Sequence, residues 1–284
     1  MSESELEVIA RNLLSGAIDF HIHGGPDLRP RKLSEIEVAK AAKQAGLKAV
    51  IIKNHVTPTT CRARLIQEML GGYPVFGGLV LNKAAGGLNP SAVEVELKLG
   101  AKEIWLPTIS SVAQVQLNKG SLASAVPITD ERGSFLPALI EVLDLVAQAG
   151  AILGTGHLAP EEVEKVVCLA RQRKVQKIVI THPENNPPAM PLDMQKRLVT
   201  QGAFLERTFL SALPPRKINL EIMAQHIKAV GAEQTIMATD FGQAENDEPI
   251  TGLIKFMKAM MAFGIPAEQV ATMVQKNPAQ MLEC

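Results

Sequence analysis

Short apolar runs rich in β-branched residues alternate along the chain with longer segments that carry apolar residues at three- and four-residue spacing. The first pattern is typical of buried strands and the second of amphipathic helices. The sequence therefore predicts eight strands with helices between them. The predicted strands cover residues 16–23, 47–55, 74–81, 102–108, 151–157, 177–182, 202–209 and 235–240.

Capping residues between the predicted strands support the helices. Ser34 with Glu37 has the spacing of a capping box. Asn89 followed by Pro90 is a helix cap with a first-turn proline, and Gly150 is a typical helix stop. Because these signals fall between the apolar runs, they predict a regular alternation of strand and helix.

Eight strand–helix units with strands too apolar for simple alternation predict a parallel sheet that closes on itself. The predicted fold class is therefore α/β, a (β/α)8 TIM barrel. A doubly wound open sheet is the alternative, but it usually has fewer strands, and the first turn, HGGPDLRP at 23–30, lacks a GxGxxG phosphate cradle. No linker rich in Pro, Gly or Ser divides the chain, so residues 1–284 are predicted to form a single domain. The long segment 109–133 is predicted to be a lid over the barrel mouth that contributes to substrate selection.

Composition narrows the class of protein. Hydrophobic residues make up 46% of the 284 positions, and 29 acidic residues balance 29 basic ones. This balance argues against nucleic-acid and membrane-surface partners. The N-terminus lacks signal-peptide features, and the three cysteines are odd in number and widely spaced, which fits a reducing cytoplasm. We expect a cytoplasmic protein whose partner is a small-molecule substrate; a homo-oligomer is compatible with the sequence, which leaves the oligomeric state open.

Histidines are concentrated at the ends of the predicted strands. Five of the six end a strand, and an aspartate ends strand eight at the same level: His21, His23, His55, His157, His182 and Asp240. In a barrel, that end of the strands is the active-site face. One such histidine alone could equally cap the next helix, but converging imidazoles and a carboxylate are the ligands of Zn²⁺ or a related divalent ion. The sixth, His226, is interpreted as a helix-face residue.

Several motifs resemble those of the amidohydrolase superfamily. They are DFHIH (19–23), GTGH (154–157), ITHP (180–183), ATDF (238–241) and the closing NPAQML (277–282). The resemblance runs from strand one to the C-terminus. It implies a metal-dependent hydrolase barrel whose metal ligands are His21, His23, His157, His182 and Asp240.

Strand four departs from that family's pattern. Many two-metal members place a carboxylated lysine or a glutamate there, whereas this strand ends at Thr108 in the run WLPT. The number of ions is therefore left open at one or two. Lys53 could supply a bridge, but we prefer that it binds an anionic group of the substrate. A site with one ion would resemble the lactonase and decarboxylase branch, in which the strand-six histidine, here His182, serves the substrate.

The predicted chemistry is hydrolysis of an amide, a lactone or another ester by metal-activated water. Zn²⁺ is the preferred ion, with Mn²⁺ or Fe²⁺ as alternatives. Asp240 is the expected general base, and His182 would stabilise an oxyanion if it is not a ligand. Lys53, His55 and Arg207 are predicted to bind the substrate, although Arg207 could instead pair with its neighbour Glu206 on the rim. The alternatives are a metal-dependent decarboxylase or isomerase on the same barrel, or a non-catalytic metal-binding homologue.

Overall fold

The computed structural model describes residues 1–284 and alternates strands with helices, as predicted. The strands are β1 (Ile18–Ile22), β2 (Ala49–Ile52), β3 (Val75–Phe76), β4 (Gly78–Val80), β5 (Glu103–Trp105), β6 (Ile152–Gly154), β7 (Lys177–Thr181), β8 (Phe204–Thr208) and β9 (Thr235–Ala238). The α-helices are α1 (Glu3–Leu14), α2 (Glu35–Gln44), α3 (Thr60–Met69), α4 (Pro90–Lys98), α5 (Val112–Leu117), α6 (Pro137–Ala149), α7 (Pro160–Gln172), α8 (Leu192–Thr200), α9 (Leu220–Val230), α10 (Pro249–Ala262), α11 (Ala267–Ala271) and α12 (Asn277–Leu282). None of the helices has both the length and the apolar character needed to cross a bilayer.

Each predicted strand has its counterpart, but the third is divided. The predicted run 74–81 forms β3 and β4 with Gly77 between them. A Cβ atom on Gly77 would lie 2.6 Å from the backbone carbon of Thr59, so the chain passes too close there for any larger residue. The helix signals are confirmed: Ser34 and Asn89 cap α2 and α4, and Gly150 ends α6 with a φ of 63°.

Contacts divide the chain into two compact units. The first contains residues 1–53, 62–76 and 206–284. The second contains residues 54–61 and 77–205.

In the first unit, β1 lies between β2 and β9. It pairs with β2 in parallel, with Ile18 opposite Ala49, and β2 pairs with β3 in the same direction. On its other side, the His23 amide donates to the carbonyl oxygen of Phe241 just beyond β9. Residues 206–208 of β8 lie beside β9. This arrangement brings the ends of β1, β8 and β9 together in one unit.

The core of the first unit is built from α1, α2, α9, α10 and the C-terminal helices packed on the sheet. The methionine-rich part of α10 is buried there, with Met257 and Met260 fully inaccessible. Phe209 stacks on Phe241 and on Phe256, at ring-centroid distances of 5.7 and 5.4 Å. Packing of this kind holds the strand ends rigidly, because buried aromatic side chains have few alternative rotamer arrangements.

In the second unit, β4, β5, β6 and β7 form a parallel sheet in chain order. The register aligns Glu103 with Gly78 on one side and with Ile152 on the other. Gly154 in β6 makes room for the buried indole of Trp105, since a Cβ atom there would lie 2.3 Å from a ring carbon. Helices α4 and α6 pack against each other over this sheet.

Candidate metal centre

β1 delivers two histidines to one point. His21 is the fourth residue of the strand and His23 follows its end, so both side chains leave the same face of the sheet. Their Nε2 atoms are 3.2 Å apart, and the rings are tilted by 59°. Both are buried, at 1% and 2% exposure.

Asp240 meets these two histidines from the end of β9. Its Oδ1 atom lies 3.3 Å from Nε2 of His21 and 3.2 Å from Nε2 of His23. The residue has a φ of 56°, a left-handed conformation that Asp adopts more readily than most side chains. Backbone strain of this kind is concentrated at functional sites. The three residues form a group of potential metal ligands whose donor atoms all lie within 4.8 Å of one another.

Beneath this group, Asp19 joins β1 to the end of β9. Its Oδ1 accepts the Thr239 amide at 2.9 Å and its Oδ2 accepts the Thr239 hydroxyl at 2.6 Å. Burial raises the pKa of the Asp19 carboxyl to about 7, although the hydrogen bonds from Thr239 oppose the shift. Asp19 therefore holds in register the two strands that carry His21 and Asp240.

The protonation pattern of the group favours a cation. Nδ1 of His21 lies 2.9 Å from Oε1 of Glu206, and a carboxylate can only accept, so Nδ1 carries the hydrogen and Nε2 of a neutral His21 has a lone pair. Burial lowers the pKa of His23 to about 3, so that ring is neutral at pH 7. If neutral His23 carries its ring hydrogen on Nε2, that hydrogen can be donated fully to only one acceptor, either Nε2 of His21 or Oδ1 of Asp240.

A divalent ion would satisfy all three donor atoms at once. Tetrahedral Zn²⁺ binds nitrogen and oxygen at about 2.0–2.1 Å, which places neighbouring ligand atoms about 3.3–3.4 Å apart. The observed separations of 3.2, 3.2 and 3.3 Å among His21, His23 and Asp240 are close to that spacing. The residues present therefore fit a metal ion of this class.

A second group of histidines lies in the second unit. Nε2 of His157, just after β6, is 3.2 Å from Nε2 of His182, just after β7. His182 also has a positive φ, of 29°. The ring of His55 lies 6.0 Å from that of His157, and its Nδ1 is 2.8 Å from the hydroxyl of Thr108.

The predicted lid segment contacts this second group. The Ser111 hydroxyl donates to the carbonyl oxygen of His157 at 2.6 Å. Gln114, on α5, places its Oε1 3.0 Å from Nδ1 of the same histidine. The start of segment 109–133 therefore lies against a strand-end histidine, which supports its predicted role near a site.

The two predicted cationic substrate ligands are both fully buried in the first unit. Lys53 follows β2, and its amide donates to the carbonyl oxygen of Ile22 at 2.8 Å. Arg207 lies on β8, where burial lowers the pKa of its guanidinium to about 9. The alternative that Arg207 pairs with Glu206 on an exposed rim is wrong, because both residues are buried and the Glu206 carboxylate bonds to His21. Burial lowers the pKa of His226 on α9, and the charge of Arg207 lowers it further.

Two residues of the site were not predicted from the sequence. Glu206 supports His21, and Gln114 supports His157. The only sequence signal for Glu206 is a charged residue inside the apolar run of β8, FLERT. Gln114 has no signal at all, since it is one of two glutamines on a short helix.

Solved structures of hydrolases are similar to this chain over nearly its whole length. An amidohydrolase from Pseudomonas aeruginosa is 12% identical, with a TM-score of 0.68, and the match covers 96% of this chain and 98% of that one. An organophosphorus hydrolase from Deinococcus radiodurans is 14% identical, with a TM-score of 0.61 and coverage of 96% and 93%. A structure concerning organophosphate hydrolysis engineered from a weak promiscuous lactonase template is 14% identical, with a TM-score of 0.63 and coverage of 96% and 97%.

At these identities the likeness shows the fold. It confirms the predicted α/β class with parallel strands and, at the level of fold, the resemblance to the amidohydrolase superfamily, whereas the strand pairs themselves form a three-stranded and a six-stranded sheet. No curated protein matches the sequence significantly. The model of a family of unknown function, DUF6282, matches residues 16–206, which is more than half of the chain. The chain therefore belongs to the family DUF6282 and has an amidohydrolase-like fold.

Proposed function

We propose that residues 1–284 form a metal-dependent hydrolase that uses activated water at the group His21, His23 and Asp240. The observation that carries the proposal is the triangle of donor atoms, with sides of 3.2 to 3.3 Å, formed by three buried side chains. Buried electron-rich atoms at this spacing repel one another unless a cation or a proton lies between them.

Zn²⁺ is the proposed ion, because imidazole and carboxylate ligands in near-tetrahedral spacing suit it best; Mn²⁺ and Fe²⁺ are the alternatives. A bound divalent ion lowers the pKa of water toward about 7 and polarises a carbonyl or phosphoryl oxygen. The prediction that His157 and His182 add ligands, for one or two ions in all, remains part of the proposal.

Asp240 is the proposed general base. Its Oδ1 faces the two histidines, and its carboxylate would take a proton from the attacking water and return it to the leaving group. The backbone bond from the Asp240 amide to His21 keeps the carboxylate oriented during both transfers. His182, where it does not bind an ion, would donate to the developing oxyanion.

The proposed substrate is a small molecule with an amide, lactone or other ester bond. Lys53, His55 and Arg207 are proposed to bind it, with Lys53 meeting an anionic group. Organophosphorus esters belong in the test set because similar solved structures carry that activity in their names. A cytoplasmic location is part of the proposal, because the three cysteines are odd in number and widely spaced in the sequence.

The test is turnover on a panel of lactones, amides, carboxylic esters and organophosphorus esters, with protein loaded in turn with Zn²⁺, Mn²⁺ and Fe²⁺. Asp240→Asn should lower kcat on any accepted substrate by about 10²–10⁴, since it removes the general base. Asp193→Asn is the matched control, because the Asp193 side chain is 88% exposed on α8.

Two outcomes would contradict the proposal. One is an Asp240→Asn protein that is folded, carries its metal and turns over at the wild-type rate. The other is metal-loaded wild type that hydrolyses no member of the panel but, when carboxylic acids are added to it, releases CO₂ from one of them or isomerises it. The second result would establish the decarboxylase or isomerase alternative.

A further inference from the structure

Glu206 stands directly behind the metal-binding group. It projects from β8, and its Oε1 accepts a hydrogen bond from Nδ1 of His21 at 2.9 Å. The two residues are 185 positions apart in the sequence and are 1% exposed each. The other carboxylate oxygen, Oε2, is buried and accepts no hydrogen bond.

We propose that Glu206 is a positioning residue for the cation, acting through His21. It holds His21 in the tautomer whose Nε2 faces His23 and Asp240, and it brings a second negative charge to the centre. This inference rests on the metal centre proposed above and assigns a residue that the family resemblance does not include.

The tautomer follows from the hydrogen bond. An ionised carboxylate has no hydrogen to give, so a neutral His21 ring carries its hydrogen on Nδ1 and the lone pair on Nε2. A ring without that acceptor would be free to carry its hydrogen on Nε2, where it would block the ion. Carboxylate partners of this kind also raise the basicity of a histidine ligand.

The second argument concerns charge. A divalent ion held by two neutral histidines and Asp240 alone would leave one net positive charge in a buried site, which is costly. With Glu206 included, the net charge of the ion and the two carboxylates, Asp240 and Glu206, is zero. Because Oε2 accepts no hydrogen bond, that charge is not used to satisfy another donor in the fold. If the role of Glu206 were only structural, Oε2 would need a hydrogen-bond donor of its own, since a buried carboxylate with one partner is destabilising.

The experiment compares affinities for Zn²⁺ and Co²⁺ in wild type, Glu206→Gln and Glu206→Ala, measured against a competing chelator. The Gln variant keeps an acceptor for His21 but loses the charge, so we expect about tenfold weaker binding. The Ala variant loses both, so we expect about a hundredfold weaker binding. Glu103→Gln is the matched control, because Glu103 is also a strand glutamate with 1% exposure but lies on β5 in the other unit.

A second readout separates positioning from general stability. Nitrogen-15 NMR of the histidine rings in metal-free protein distinguishes the hydrogen on Nδ1 from that on Nε2. We expect His21 to carry it on Nδ1 in wild type and in Glu206→Gln, and to lose this preference in Glu206→Ala. If the Ala variant does not fold, the isosteric Gln variant still tests the loss of charge.

The inference is overturned if both Glu206 variants bind Zn²⁺ as tightly as wild type, or if Glu103→Gln weakens binding as much as Glu206→Gln. Wild type that binds neither ion would instead remove the proposed metal centre. In that case the tautomer is tested on its own: an unchanged His21 tautomer in Glu206→Ala also removes the control of His21 by Glu206, whereas a changed one retains that control without an ion.

Discussion

Asp240 is joined to His21 through both its backbone and its side chain. The Asp240 amide donates to the His21 carbonyl oxygen at 2.8 Å, and the carboxylate Oδ1 lies 3.3 Å from Nε2 of the His21 ring. Because the backbone bond belongs to the contact between β9 and β1, the carboxylate cannot move away unless that contact opens. The geometry of the proposed ligands is thus built into the sheet, and an ion would find its donor atoms already in place.

Zn²⁺ should raise the melting temperature of metal-free protein. Binding to the folded state alone adds about 2.7 kcal/mol at a free ion concentration of 100 times Kd. For a chain of this size, each kcal/mol corresponds to about 2–4 °C, so the expected rise is about 5–10 °C. His21→Ala should abolish most of it, and calorimetry with and without Zn²⁺ is the measurement.

His226→Ala is the control for that experiment. His226 is a half-buried histidine on α9 and is not part of the ligand group. It should keep the full Zn²⁺-dependent rise in melting temperature. An equal loss in both variants would mean that the ion binds histidines nonspecifically.

Gly242→Ala should disturb the site from two residues beyond Asp240. Gly242 has a φ of 142°, and a Cβ atom there would lie 1.9 Å from the carbonyl oxygen of His23. We expect lower stability and weaker Zn²⁺ binding, because the clash forces either residue 242 or His23 to move. Gly100→Ala is the control, since its φ of 99° is also unfavourable but no atom lies within 4 Å. Similar melting temperatures and Zn²⁺ affinities for both variants would contradict a steric cause.

The fold was predictable because its signals are local. Apolar β-branched runs mark each strand, and caps such as Ser34 and Gly150 mark helix ends within a few residues. The division of the third strand at Gly77 was not predictable, since it depends on the approach of Thr59 from another part of the chain. In the sequence, a close backbone contact between distant segments is marked only by a glycine.

Only the residues of the candidate site that lie at strand ends were predictable from the sequence. His21, His23 and Asp240 each end an apolar run, and the structure brings them together. Glu206 and Arg207 illustrate the limit. Neighbouring strand residues point to opposite faces, but nothing in the run FLERT says which face holds the ligands. The choice depends on packing against β1, which the sequence of β8 does not contain.

Glu35 should make stability depend on pH. It is 1% exposed at the start of α2, where Arg62 binds it through Nε at 2.8 Å and Nη2 at 2.7 Å. Burial raises the pKa of Glu35 above its ordinary 4.5, despite the opposing effect of Arg62. A raised folded-state pKa contributes stability that is present below the unfolded pKa and is lost as pH rises through the folded value. Glu35→Gln should therefore gain in melting temperature relative to wild type as pH rises from about 4 to about 7.

Glu37→Gln should show a pH dependence of stability opposite to that of Glu35→Gln, although the two residues are close in the sequence. Its carboxylate closes the capping box of α2, and the hydrogen bonds from Ser34 lower the pKa of Glu37. That stability is present above the unfolded pKa and is lost as pH falls. The loss of melting temperature in Glu37→Gln relative to wild type should thus be largest near neutral pH. If the two variants followed the same pH trend, the assignment of both shifts would be wrong.

Gln114→Ala should weaken cation binding at the His157–His182 pair. Gln114 accepts the Nδ1 hydrogen of His157 at 3.0 Å, which leaves the lone pair on Nε2, facing His182 at 3.2 Å. Loss of that acceptor lets the hydrogen move to Nε2, where it opposes an ion, so we expect a loss of affinity of about tenfold. Titration with Co²⁺, followed by absorption, measures it.

The neighbouring glutamine on the same helix provides the control. Gln116 is exposed on α5 two positions from Gln114, so Gln116→Ala changes the helix equally without touching His157. Because Ser111 also holds the His157 backbone, at 2.6 Å, the ring should stay in place in both variants, and only its tautomer preference should change in one. A Gln114→Ala protein that titrates with Co²⁺ like Gln116→Ala would show that α5 does not prepare His157 for an ion. A weaker titration for Gln114→Ala alone would make segment 109–133 part of the metal-binding machinery, in addition to its predicted role as a lid.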